Sequence, residues 1–353
     1  MKDSNDIILK PLHTKEVNSP ILVVLPKFIG DAINTLPALK LLRQLYPAQK
    51  IVILANGAIC ELFKKVELAN SETLSLNSFG KKKWSLDLIK ALRKFEFALG
   101  FLFRGSLGDA ILCKMAGIKT LIGYAQNGRS ALLSHALPLN INQHYITRYC
   151  RLVNEPHGNP FKCFESPKLS HAHIERAFQS EQKVISVYMG SANKNNRYYP
   201  SHYAKEALLE ISKHSVCSFN LLGSCDEAFE NSQLCDLLKA DNIAVTDLSG
   251  KTSITELVDT IAQSDLMISI DSGPMHIACA TGVNCITLVG PGTSPWSCVQ
   301  PVTPYCKPIF ANPLLLNDSD KLSSISPSKL ALLAINTLNS QNQGNSHDEY
   351  PIN

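Results

Sequence analysis

The chain has 353 residues, 45% hydrophobic and 18% charged, enough apolar material for a sizeable core and about two domains of ordinary size. That balance excludes a disordered, collagen-like or disulfide-scaffold chain. The net charge of +4 conceals an asymmetry: residues 1–150 hold 20 Lys and Arg against 10 Asp and Glu, and residues 151–353 hold 14 against 20.

Short apolar runs alternate with helical patterns from end to end. Ile21–Leu25 reads as a buried strand, followed by a long helix through GDAINTLPALKLLRQLYP. Lys50–Ala55 and Thr73–Leu76 are strands, Trp84–Lys94 a helix, Phe97–Leu102 a strand, Leu107–Ala116 a helix, Thr120–Gly123 a strand and Tyr145–Asn154 a helix. A proline-rich, aperiodic stretch, Glu155–Ser170, reads as the linker. The rhythm then restarts with strands at 184–189, 218–222, 243–247, 266–270 and 285–289. Helices at 201–213, 226–239, 254–263 and 275–281 alternate with them. Residues 291–326 are rich in Pro, Ser and Thr, Pro327–Leu338 reads as a last helix, and the polar tail from Asn339 as disorder. Alternation of this kind gives parallel strands joined by crossover helices. The expectation is two doubly wound α/β domains, with the active site in the cleft between them.

Eleven cysteines are scattered singly with no C-x-x-C pair, which reads as reduced intracellular thiols used as small core residues. Met1–Pro20 lacks an apolar stretch of the secretory type, and no run of about 18 apolar residues exists to span a membrane. The protein is expected to be cytoplasmic, with any membrane contact peripheral. The basic half then suits nucleic acid, an anionic membrane surface or a phosphorylated substrate.

Four constellations suit chemistry. In SIDSGPMHIACATGVNCITLVGPGTSPW, residues 269–296, a buried strand delivers Asp271 to its end, Ser272-Gly273 turns the chain, and Pro274 fits the first position of a helix. The amides of Gly273, Met275 and His276 at that helix N-terminus suit a phosphate or pyrophosphate. Asp271 suits the turn or a sugar hydroxyl; alternatively it is a helix cap and His276 a core residue. A second glycine turn, 290–294, leaves the next strand at the same edge. In PKFIGDAINTLPAL, Gly30 permits a tight turn and Asp31 opens a helix, where it is either a cap or a general base facing the cleft. Asp109 in RGSLGDA repeats that pattern after another strand, and local physics does not separate the two. Gly190-Ser-Ala-Asn-Lys-Asn-Asn-Arg197 offers Ser191, Lys194 and Arg197 to a diphosphate. Glu227, in LLGSCDEAFE, is either a ribose ligand or a first-turn acid.

Other signals point away from familiar chemistries. There is no G-x-G-x-x-G after the first strand and no G-x-x-x-x-G-K-[ST], so neither a dinucleotide oxidoreductase nor a P-loop NTPase is supported. Asp318-Ser319-Asp320 reads as a surface turn, and the histidines show no metal-ligand spacing. Lys81-Lys82-Lys83-Trp84 suits an anionic lipid surface or an ordinary solvated loop equally.

IGDAINTLPALKLLRQLYP together with DSGPMHIACATGVNCITLVGPGTSP resembles the ADP-heptose:lipopolysaccharide heptosyltransferases, glycosyltransferase family nine. AGIKTLIGY, HYITRYCRL, RYYP and LSGKTSITEL are intermediate matches, and the resemblance covers roughly residues 20–340. The H-x-x-x-R-Y stretch at His144–Tyr149 inclines it to the members that add the second inner-core heptose.

The resemblance implies a GT-B fold of two Rossmann-like domains facing across a cleft. Residues 1–160 would bind the acceptor and 161–325 the nucleotide sugar, with 326–340 a helix returning towards the first domain and 341–353 a disordered tail. It implies inverting, metal-independent transfer of heptose from ADP-heptose to an anionic Kdo-lipid A type glycolipid, at the inner leaflet of the inner membrane, with no cofactor and no nucleic acid. By matching positions Asp31 is the catalytic base. Gly190, Ser191, Lys194, Arg197, Glu227, Thr252, Asp271, Ser272, Gly273, Met275 and His276 face the donor, and Lys27, Gly30, Arg104 and Arg129 the acceptor. Lys81–Lys83, Lys114, Lys119 and Arg148 are further cations for the glycolipid. Arg197 and Tyr199 replace the Lys and Trp of the family's K-x-W-P, and only Cys298 and Cys306 remain of a cysteine-rich segment often found before the last helix. The alternatives are a GT-B transferase using another nucleotide sugar or acceptor, and a non-catalytic nucleotide-sugar-binding protein.

Overall fold

In the computed structural model of the chain, the apolar run Ile21–Val24 forms β1, buried at every position as a strand covered on both faces must be. The structure describes residues 11–14, 17–79, 85–171, 182–190, 198–290, 294–315 and 321–340. It divides into one unit ending at Pro167 and a second beginning at Lys168, a boundary a few residues past the 160/161 junction expected from the proline-rich segment.

In the first unit β1 pairs in parallel with β2 (Ile51–Ala55) on one side and β4 (Leu99–Leu102) on the other. With β3 (Ser71–Ser75), β5 (Thr120–Tyr124) and β6 (His135–Leu137) the order is β3-β2-β1-β4-β5-β6. The second unit repeats the plan with β7 (Lys183–Tyr188), β8 (Cys217–Leu221), β9 (Ala244–Asp247), β10 (Leu266–Ile270), β11 (Cys285–Val289) and β12 (Cys306–Phe310). Its order is β12-β11-β10-β7-β8-β9, again parallel throughout. Each sheet grows outward from its first strand, then returns to that strand's other side. The order therefore reverses between β1 and β4 and between β7 and β10, and ligands of such sheets bind at the carboxyl ends of the strands at that reversal.

The single long helix expected after β1 is two, α1 (Ile29–Asn34) and α2 (Leu36–Leu45). Pro37 has no amide hydrogen for the carbonyl one turn back, so the ladder breaks at Thr35, whose hydroxyl donates to Ala32 O at 2.6 Å. Sequence patterning also passed over α3 (Gly57–Leu62), β6 and β12. The first is too short to show a period, and the strands lie at sheet edges, where Pro308 of β12 is tolerated.

Helices α4 (Leu86–Arg93), α5 (Leu107–Met115) and α6 (Tyr145–Asn154) complete the first unit. In the second, α7 (Ser201–His214), α8 (Ala228–Ala240), α9 (Ile254–Ala262), α10 (Gly273–Thr281) and the short α11 (Trp296–Val299) precede a C-terminal helix, Pro327–Ser340. That helix, expected to return towards the first domain, packs on α7, and its Leu330, Ala331, Ala334 and Leu338 belong to the second unit's core. Tyr199 pins its approach by donating to Ile325 O at 2.8 Å. The helix runs to Ser340, past the Asn339 where the tail was expected to begin; residues 341–353 lie outside the described ones.

Candidate active site

At the reversal point of the first sheet, the segments that leave β1 and β4 open a cavity of about 440 Å³. Pro26, Lys27, Phe28 and Asp31 line it from the β1 side, and Phe103, Arg104, Gly105 and Ser106 from the β4 side. Tyr124 ends β5, Gln126 and Asn127 follow it, Leu139 follows β6, and Tyr145, Arg148 and Tyr149 project from α6. The i, i+3, i+4 spacing of those last three puts them on one helix face.

Asp31 is half-buried at the third position of α1, so it is a first-turn acid and not the helix cap, which is Phe28. Tyr149 stands close enough to feel its charge. Burial first, and Asp31 second, raise the Tyr149 phenol well above its ordinary value, so it stays a neutral hydrogen-bond donor. The ring of Tyr149 packs on Phe103 with centroids 5.4 Å apart, and Tyr145 meets it edge-on at 6.2 Å. Arg148 lies 4.4 Å from the Tyr145 ring centre and donates from Nε to Gln143 O at 2.8 Å and from Nη2 to Ile141 O. Tyr124 closes the wall by donating to Arg148 O at 2.6 Å. Aromatic faces, amides, three cations and one carboxylate suit a polyhydroxylated ligand carrying negative charge.

Asp109 also stands third in its helix, but it is 3% exposed and accepts Nε and Nη2 of Arg104 at 2.5 and 2.6 Å. A carboxylate engaged in a forked pair with a guanidinium is a poor proton acceptor. Arg129, expected at the acceptor, is fully buried. Its Nε donates to Tyr124 O at 2.9 Å and its Nη1 to Arg104 O at 2.5 Å, so it braces the wall and does not reach the cavity. Gly30 is buried inside α1 and forms no turn, whereas Lys27 is exposed on the rim. Lys119 precedes β5, at the opposite ends of the strands from the cavity, and Lys114 donates to its carbonyl at 3.1 Å. Lys81–Lys83 lie outside the described residues.

The second sheet presents a different surface at its reversal point. Gly190 follows β7 with φ of 76°, a left-handed conformation that suits glycine. Tyr199 N donates to Met189 O at 2.8 Å, and Ser191, Lys194 and Arg197 lie outside the described residues. Ser272 caps α10, Gly273 is its first residue and Pro274 its second, one position later than the spacing suggested. Asp271, Ser272 and Gly273 are partly exposed, Met275 is a core side chain, and His276 at 7% exposure is nearly so. Thr252 is half-buried just before the Ser253–Glu256 capping box of α9. Asp318-Ser319-Asp320 and residues 291–293 of the 290–294 turn lie outside the described residues.

Glu227 is 2% exposed and committed within the chain: Tyr188 donates to Oε1 at 2.7 Å, and the amide and hydroxyl of Ser224 to Oε2 at 2.6 and 2.8 Å. It is the first-turn acid of the alternative reading: it closes a capping box and ties the end of β7 to the turn after β8.

Among the described residues no group of three or more His, Cys, Asp or Glu is arranged to hold a metal ion, and no helix is long and apolar enough to cross a membrane. The residues that sequence reasoning missed are Tyr124, Gln126, Asn127, Tyr145 and Tyr149; the polar-aromatic stripe on α6 is the signal that carries the last two.

Against known proteins, the profile of glycosyltransferase family 9 (heptosyltransferase) matches residues 85–306. Lipooligosaccharide heptosyltransferase 2 of Campylobacter jejuni is 26% identical over 291 residues, spanning 78% of this chain and 83% of the relative. Among solved structures, ADP-heptose lps heptosyltransferase II of E. coli superposes with a TM-score of 0.78 at 20% identity, covering 92% of this chain and 99% of that one. E. coli heptosyltransferase WaaC with ADP superposes with a TM-score of 0.69 at 15% identity, covering 90% and 99%. At these identities the superpositions establish a shared fold of two Rossmann-like α/β domains, the GT-B fold.

Proposed function

The chain belongs to glycosyltransferase family 9, the heptosyltransferases, and from that premise we propose that it transfers heptose from ADP-heptose to an anionic, Kdo-containing inner-core acceptor of lipopolysaccharide. The observation that carries this reading is the cavity at the β1–β4 reversal, where one half-buried carboxylate, Asp31, shares a wall with Lys27, Arg104 and Arg148. The first unit takes the acceptor there. Lys27, Arg104 and Arg148 meet its negative groups, and the Tyr145 and Tyr149 rings meet its sugar faces. The second unit takes the donor at Gly190 and at Asp271, Ser272, Gly273 and His276, with Ser191, Lys194 and Arg197 on the diphosphate and Thr252 beside the base.

The chemistry follows from those positions. Asp31 accepts the proton of the acceptor hydroxyl as its oxygen attacks the anomeric carbon from the face opposite ADP, so the configuration inverts. Charge builds on the departing diphosphate, and the N-terminus of α10 with the cations of the 190–197 loop stabilises it. Tyr149, kept neutral beside the carboxylate, does not compete for the proton. Because its acceptor is a glycolipid, the protein works at the periphery of the inner leaflet; co-flotation with anionic vesicles bearing the acceptor tests this.

Turnover of ADP-heptose against a panel of truncated lipopolysaccharide acceptors, with wild type and Asp31→Asn, tests the proposal. Transfer to one acceptor, lost in the variant while calorimetric ADP affinity is kept, supports it. Tighter binding of UDP than ADP would instead favour a transferase for another nucleotide sugar.

A further inference from the structure

Arg104 is gripped at both ends by side chains that hardly meet solvent. Asp109 holds Nε and Nη2, with the two side chains only 12% and 4% exposed. On a guanidinium this side-on fork leaves the Nη1–Nη2 edge, a second fork matched to an oxyanion. No described residue accepts from Nη1, and Arg104 lines the cavity. At the other end Arg129 donates to the Arg104 carbonyl, and its own Nη2 has no hydrogen-bond partner among the described residues. Asp109 thus lies in the field of two guanidiniums, which it partly neutralises. Gly123 makes the room: a Cβ there would stand 3.1 Å from Arg129 Nη2. One buried carboxylate for two arginines leaves a net positive charge, and the only edge of it that the cavity reaches is on Arg104.

We propose that Asp109 and Arg129 are positioning residues that aim the free fork of Arg104 at a carboxylate or phosphate of the acceptor. This rests on the reading of the cavity as the acceptor site. The pair fixes the guanidinium before the ligand arrives, so the rotamer freedom of a long side chain is not lost on binding. Arg104 is then the specificity element of the wall, and Asp109, which shares its local sequence with the base, serves binding and not proton transfer.

The test is a double-mutant cycle in the full-length enzyme, read as acceptor KM, donor KM and kcat. Asp109→Asn is expected to raise acceptor KM about tenfold or more, the worth of a charge-assisted contact, with donor KM and kcat changed less than about twofold. Arg104→Lys keeps the charge without the fork and is expected to raise acceptor KM similarly, which preserves the test should Asp109→Asn fold poorly. In the Arg104→Lys background, Asp109→Asn should add nothing further. Phosphatase-treated acceptor separates the sources: if the Asp109→Asn effect persists the oxyanion is a carboxylate, and if it vanishes a phosphate. Multiplying effects in the double variant, or a fall in kcat that tracks lost folded protein with acceptor KM unchanged, would overturn the proposal. Absence of wild-type transfer to every acceptor would instead strike the proposed function.

Discussion

Two stretches of the first unit carry the same three residues at the start of a helix after a central strand: Gly30-Asp31-Ala32 after β1 and Gly108-Asp109-Ala110 after β4. Both aspartates stand third in their helices, and each has an acidic neighbour that burial keeps protonated. For Asp31 that neighbour is Tyr149, raised well above its ordinary value, and for Asp109 it is Cys113, pushed up to about 12. Their fates diverge because of the residue five positions earlier. Pro26 stands there in the first case and offers no donor; Arg104 stands there in the second and locks the carboxylate in a fork. The same local motif therefore yields a half-buried carboxylate lining the cavity at one strand end and a buried structural counter-ion at the next, where a cation on the preceding loop locks it.

The largest expected effect is on turnover. Asp31→Asn should lower kcat by about 10²–10⁴, the usual worth of a general base, whereas Asp109→Asn should change kcat by less than about twofold. Steady-state assays with ADP-heptose and a truncated acceptor measure both, and equal losses would erase the distinction. Stability should order the pair the other way. Arg104→Ala leaves the Asp109 charge buried without its partner and should cost about 3–5 kcal/mol in urea unfolding, while Asp31→Asn should be within about 0.5 kcal/mol of wild type.

Glu227 extends the comparison to a third helix-start acid. Glu227→Ala removes one half of a capping box and the Tyr188 contact, and should cost about 1–2 kcal/mol with calorimetric ADP affinity changed less than about twofold. A large loss of ADP affinity would return Glu227 to the donor. The smallest effect is on pH dependence. Burial raises Tyr46, Tyr124, Tyr149 and Tyr199 above the ordinary value near 10. Their folded-state values exceed the unfolded ones, so their contribution is fully present below pH 10 and is lost as pH rises above it. Buried Cys113, Cys150 and Cys217 are raised in the same way from an ordinary value near 9, so urea midpoints should begin to fall near pH 9 and fall more steeply beyond 10, while kcat should show no alkaline limb from Tyr149 in the lower range.

Much of the architecture was legible because parallel strands covered on both faces read as unbroken apolar runs: β10 and β11 fall where the sequence placed them, and β1 differs by one residue. What escaped was governed by neighbours in space. Pro308 disguised β12, which only its edge position permits, and Pro37 split a helix whose hydrophobic period runs straight through it. In the site, Asp31 and Arg104 were visible as polar residues at central strand ends. Arg148 was visible as a cation for the acceptor, but the aromatic wall that Tyr145 and Tyr149 form beside it was not, because the strand end that α6 packs beside is a tertiary fact. Charge alone makes Arg129 a candidate for the acceptor, and only the carbonyls of Tyr124 and Arg104 explain its burial. Glu227 could have been read from Ser224-x-x-Glu227, the spacing of a capping box.

The central claim is that Asp31 takes the acceptor proton during heptose transfer. Single-turnover transfer, with donor and acceptor saturating, tests it most directly when wild type, Asp31→Asn and Asp109→Asn are compared. The account predicts a rate at least about 100-fold lower for Asp31→Asn and near wild type for Asp109→Asn. A wild-type rate in Asp31→Asn, or a collapse confined to Asp109→Asn, would contradict it.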